Sequence, residues 1–104
     1  MLSVLSKQKQ GCPFYYELLD GDAVFHGGMN AEGVLFCDQA CTQKELMLRT
    51  LVFRCINEGV PAVYARDEWG VDLARFGFVR EGGLFCAALQ NLCLPHDCGA
   101  QKRE

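Results

Sequence analysis

Apolar positions come in short runs early in the chain and at helical spacing in the middle, and the two periods predict different elements. Phe14, Tyr15, Tyr16, Leu18 and Leu19 form an aromatic-rich run that Asp20-Gly21 follows directly, a strong short-range signal for a tight hairpin turn. Residues 23–26 return as the partner strand, and Gly27-Gly28 is read as its end. Asn30, Ala31, Glu32 and Gly33 then spell a turn, and residues 34–37 a short buried strand. Three antiparallel strands are expected first.

The period changes at residue 42. Leu48, Leu51, Val52 and Cys55 recur at three- and four-residue spacing, with Met47 and Ile56 beside them and Lys44, Glu45, Arg49, Arg54 and Asn57 on the wet side. Residues 42–58 are therefore read as a helix. Thr42-Gln43-Lys44-Glu45 has the form of a capping box, and Gly59 can take the left-handed conformation that closes the helix. Residues 60–65 read as a strand, followed by a short helix with Asp67 as its cap, Trp69, Leu73 and Phe76 on one face, and Gly77 as its stop. Residues 78–81 and 84–89 form a second hairpin around Gly82-Gly83. The expected order is βββ-α-β-α-ββ, an α/β fold (α+β, mixed sheet). A right-handed strand–helix–strand crossover should join parallel neighbours within an otherwise antiparallel sheet. Residues 1–13 are taken as an N-terminal extension, 14–94 as one domain and 95–104 as a flexible tail.

Composition narrows the partners. Of 104 residues, 50% are hydrophobic, enough for one core, and a net charge of −3 with interspersed signs gives no basic footprint for nucleic acid or a membrane. The first ten residues pass from apolar to polar too quickly for a secretory signal, so a cytoplasmic protein is expected. Its seven cysteines are an odd number set mostly in apolar runs, which predicts reduced thiols rather than a disulfide framework. Cys93, His96 and Cys98 offer possible zinc ligands, but their spacing is looser than Cys-x-x-Cys and no second pair accompanies them, so no metal is expected.

Several spacings resemble the Gcn5-related N-acetyltransferase (GNAT) superfamily. Met47-Leu48-Arg49-Thr50-Leu51-Val52 followed by Glu58-Gly59-Val60 is similar to the family's long helix, and Leu73-Ala74-Arg75-Phe76-Gly77-Phe78-Val79 to its closing signature. The resemblance covers residues 14–94 and leaves no room for the family's first strand and first two helices. It implies an acyl-CoA-dependent N-acyltransferase, with acetyl-CoA or another acyl-CoA as co-substrate and a small-molecule or protein amine as acceptor. It also places the acyl-CoA loop at Gln39, Ala40, Cys41, Thr42, Gln43 and Lys44, where Thr42 and Lys44 replace the family's small residues.

Two residues matter for the family's chemistry. Leu73 stands where the family often has a Tyr that reprotonates the departing thiolate, and Arg66 where an Asn is frequent; Tyr64 and His26 are the alternative catalytic candidates, with Glu17 and Glu32 further ones. The capping box would occupy backbone donors that a pyrophosphate needs, which predicts weak acetyl-CoA binding. A non-catalytic GNAT-like module acting by association, and a metal- or thiol-dependent regulator, are the competing readings. Two helices over about six strands should leave sheet face bare, near Phe14, Tyr16 or Phe25, so a homodimer is expected.

Overall fold

The structure, a computed structural model, describes residues 2–95. It is an α+β fold: one seven-stranded mixed sheet in the order β1-β2-β3-β4-β5-β7-β6, with one α-helix. β1 (Leu2–Lys9) and β2 (Cys12–Asp20) form a hairpin through Gln10 and Gly11, where Gly11 has φ 86°. β2 pairs with β3 (Ala23–Met29) across Gly21 and Asp22, and β3 pairs with β4 (Val34–Cys37). The turn before β4 is built by Asn30, whose Oδ1 accepts from the N–H of Glu32 at 2.9 Å and of Val34 at 3.0 Å. α1 (Lys44–Glu58) then carries the chain to β5 (Ala62–Arg66), which lies parallel to β4. β6 (Val79–Glu81) and β7 (Leu84–Ala88) close the sheet, with β7 antiparallel to β5.

Alternation along β2 explains the core. Phe14, Tyr16 and Leu18 are buried on one face and meet Met47, Leu48, Leu51, Val52 and Cys55 of α1, whose exposure is 0%. Burying each large aliphatic side chain contributes about 1.5–3 kcal/mol, so this helix stripe is a main contributor to the core alongside Leu35, Val63 and Phe76. Gly59 (φ 70°) closes α1, its N–H and the next one returning to the carbonyls of Ile56 and Cys55.

Four expectations are corrected. Residues 2–9 are not an extension but the edge strand β1, paired with β2 from Leu2↔Asp20 onward, so the sheet has a strand ahead of residue 14. Gly27 and Gly28 do not end β3. They pair with Tyr16 and Tyr15 on one side and Cys37 and Phe36 on the other. The second helix is only a 3-10 turn at Leu73–Phe76, capped by Asp72 rather than Asp67. Phe14 and Tyr16 are not bare but lie under α1, and Phe25 is half-buried. The opposite face of the sheet, where Leu5 is 41% and Val24 48% exposed, has no helix over it among the described residues.

Candidate functional site

β4 and β5 pair at only two positions, Val34↔Tyr64 and Leu35↔Ala65. Beyond them each strand follows its other neighbour: Phe36 and Cys37 stay with β3, and Arg66 pairs with Leu84 of β7. The one parallel pair thus opens at its carboxyl end, where open α/β sheets generally receive ligands. A cleft of about 200 Å³ occupies this gap, lined among others by Phe36, Cys37, Gln39, Lys44, Arg66 and Trp69.

The loop from β4 to α1 forms one wall and is pinned to β3. Asp38 donates its N–H to the His26 carbonyl at 2.9 Å and accepts the His26 N–H on Oδ2 at 2.7 Å; the Cys41 N–H returns to the Asp38 carbonyl at 3.0 Å. The capping box does not form. Thr42 Oγ1 donates instead to Asp20 Oδ2 at 2.8 Å, and the Glu45 carboxylate lies 3.4 Å from Arg49 Nε, one helical turn away. Both side chains satisfy a charged partner, which outweighs a neutral cap. α1 begins at Gln43 with no side-chain cap, and its first backbone bond is Met47 N–H to the Gln43 carbonyl at 3.0 Å. The N–H groups of Lys44, Glu45 and Leu46 consequently have no acceptor among the described residues.

Two cations meet here. Lys44, half-buried, and Arg66, exposed, line the cleft without an ion-pair partner among the described residues; Glu68 is the one carboxylate in the lining. Cys37 is pushed up to about 12, first by burial and then by the neighbouring Cys41, with Lys44 pulling the other way. At neutral pH it is a protonated thiol.

No family model, curated protein or solved structure matches the chain. The residues themselves must therefore carry any functional reading. Of the loop positions singled out by sequence, Gln39 and Lys44 line the cleft, while Ala40 is exposed, Cys41 is buried, Thr42 turns to Asp20 and Gln43 starts α1. Neither catalytic candidate lines it. Tyr64 packs beside Gly33, and His26 stacks on Tyr15 (5.6 Å between centroids) with Nε2 3.3 Å from Glu17 Oε2 and Nδ1 3.6 Å from Asp38 Oδ2. Leu73 is buried in the core. His96, Asp97 and Cys98 lie outside the described residues; Cys93 is exposed, its thiol donating to the Arg75 carbonyl at 3.3 Å.

Sequence reasoning missed Phe36, Cys37 and Trp69 as cleft residues and treated Arg66 only as a substitution. Their common signal is position at the carboxyl ends of the parallel strands or just after them, which needs the pairing of β4 with β5 to be seen. Chemically, the site offers free helix N–H groups and two cations to an anion, and an apolar wall to a short arm. Its volume is below the roughly 300–1,000 Å³ of pockets that enclose a whole small ligand, so it suits one part of a longer molecule.

Proposed function

We propose that this chain is a GNAT-like module that binds acyl-CoA, its phosphates at the start of α1 and its thioester arm in the β4–β5 cleft. The reading is supported above all by the opening of the parallel pair beside an uncapped helix N-terminus, and by Lys44 and Arg66, which have no ion-pair partner among the described residues. The strand order, with one parallel pair joined through the long helix, agrees with the resemblance in residues 47–60 and 73–79. Of the two parts of acyl transfer, binding is the better supplied. Transfer to an amine needs an acid for the departing thiolate; Leu73 has no proton to give, and a Cys37 thiol held near 12 is a poor donor. Free cysteines at all six described positions fit a reducing, cytoplasmic setting.

A second activity, self-association, is favoured by the sheet face opposite α1, where Leu5 and Val24 are exposed beside half-buried Leu19 and Tyr15. Melting curves test the binding reading. Acetyl-CoA at a hundred times its Kd should stabilise the fold by about 2.7 kcal/mol, a rise of roughly 10 °C in Tm for a domain of this size. An unchanged melting curve at millimolar acetyl-CoA would overturn it.

A further inference from the structure

On the face of the sheet away from α1, β2 presents Tyr15, Glu17 and Leu19, and β3 presents Val24 and His26. Two observations fix this side. Phe14, Tyr16 and Leu18 alternate with the β2 residues and lie under α1, and a β-carbon on Gly27, next to His26, would meet Met47 of that helix. Across the strands Glu17 pairs with His26 and Leu19 with Val24. His26 Nε2 stands 3.3 Å from Glu17 Oε2, its Nδ1 3.6 Å from Asp38 Oδ2, and Lys7 Nζ of β1 3.8 Å from Glu17 Oε1. Tyr15, with the Lys9 ammonium above its ring, stacks on the imidazole. Charges of alternating sign thus cross the face at one level, and the next level, Leu19 beside the exposed Val24, is apolar.

Such a pattern is its own complement. A two-fold axis running along the strands between β2 and β3 turns a second copy so that its β3 lies over β2 of the first. Glu17 of each copy then meets His26 of the other, and Leu19 meets Val24. Stacked sheets cross at about 30°, so register holds only near one crossing point, which these two adjoining levels supply. An unrelated partner would have to carry the same alternation; a second copy has it by symmetry.

We propose that two copies of this chain stack through the face away from α1, about a two-fold axis between β2 and β3 that sets Glu17 of each on His26 of the other, and that protonation of His26 tightens the pair. The assembly rests on the self-association reading and is independent of acyl-CoA. Stacking removes water from the charged row, so uncompensated charge there opposes it. With His26 protonated, Lys7 and His26 balance Glu17 and Asp38 in each copy; with His26 neutral, a carboxylate is left over. An imidazole is the side-chain group that changes charge between about pH 5 and 8, so the pair tightens as pH falls through that range and loosens as it rises.

Analytical ultracentrifugation of the full chain at pH 6 and pH 8 tests the gate without any substitution: the dimer Kd should be at least about tenfold lower at pH 6. His26→Gln should give one Kd at both pH values. At pH 6, chains carrying Glu17→Lys or His26→Glu set like charges over each other across the axis, and each should sediment as a folded monomer. Mixed in equal amounts they should form a heterodimer, because the two introduced charges then meet as opposites. A mixture of folded variants that stays monomeric, or variants that dimerise alone, overturns the axis. Equal wild-type Kd at the two pH values, or a pH dependence that survives His26→Gln, overturns the role of His26. A wild-type chain that is monomeric at both pH values overturns self-association itself.

Discussion

A β-carbon on Gly28 would stand 2.3 Å from the Phe14 carbonyl oxygen, and one on Gly27 2.9 Å from the side chain of Met47. Neither glycine is there for a turn. They let β2 and α1 close on β3, which is why a strand that sequence propensity would end continues to Met29. Gly28→Ala must push two central strands apart, and urea denaturation should report a loss of about 1–3 kcal/mol. A second residue-scale consequence is pH-dependent. Burial pushes the Cys55 thiol from its usual 9.0 up to about 11. The unfolded chain then releases the proton first as pH rises, so the stability that this neutral thiol contributes is intact below pH 9.0 and is lost towards about 11. The slope should reach up to about 1.4 kcal/mol per pH unit, and Cys55→Ala should flatten it. Equal slopes in the two proteins would contradict the assignment.

Among elements, the start of α1 separates what local sequence settles from what it does not. Thr42-Gln43-Lys44-Glu45 satisfies the capping pattern, yet Asp20, twenty-two residues earlier, takes the Thr42 hydroxyl and Arg49 takes the Glu45 carboxylate. A double-mutant cycle of Thr42→Ala with Asp20→Ala should therefore show a coupling of about 0.5–1.5 kcal/mol, because the Thr42 hydroxyl is held by that carboxylate. Independent costs for the two substitutions would restore the capping box. The elements legible in sequence are those fixed by their own residues: α1 by its apolar stripe, its end by Gly59, and the hairpins by Asp20-Gly21 and Gly82-Gly83. β1 was not legible, because an edge strand with Ser3, Ser6, Lys7 and Lys9 among its apolar residues lacks the run that marks a buried strand. The last turn before β6 shortened to 3-10 because Asp72, not Asp67, accepts the Ala74 N–H at 3.2 Å. Of the cleft, sequence supplied Gln39 and Lys44; Phe36, Arg66 and Trp69 become neighbours only through the β4–β5 pairing.

At the scale of the whole molecule, the described residues set one helix against one face of a seven-stranded sheet and none against the other. A helix about 10 Å across shields roughly two strands spaced about 4.8 Å apart, so the other face, with Leu5, Val24, Leu19 and Tyr15, favours a second copy of the chain as its cover. Light scattering at micromolar concentration should report a dimer, and Val24→Asp should return it to monomer; a wild-type chain that stays monomeric would contradict this. Among the described residues the same sheet places the cleft at its one parallel junction and leaves Lys44 and Arg66 without ion-pair partners and three helix N–H groups without acceptors. An anion there gains charge-assisted hydrogen bonds that no protein group now takes. The most direct test is calorimetric titration of acetyl-CoA into the full chain and into Lys44→Glu/Arg66→Glu. The account predicts micromolar binding, about −8 kcal/mol, weakened at least about tenfold by the charge reversals. No binding at millimolar acetyl-CoA, or equal affinity in both proteins, would contradict it.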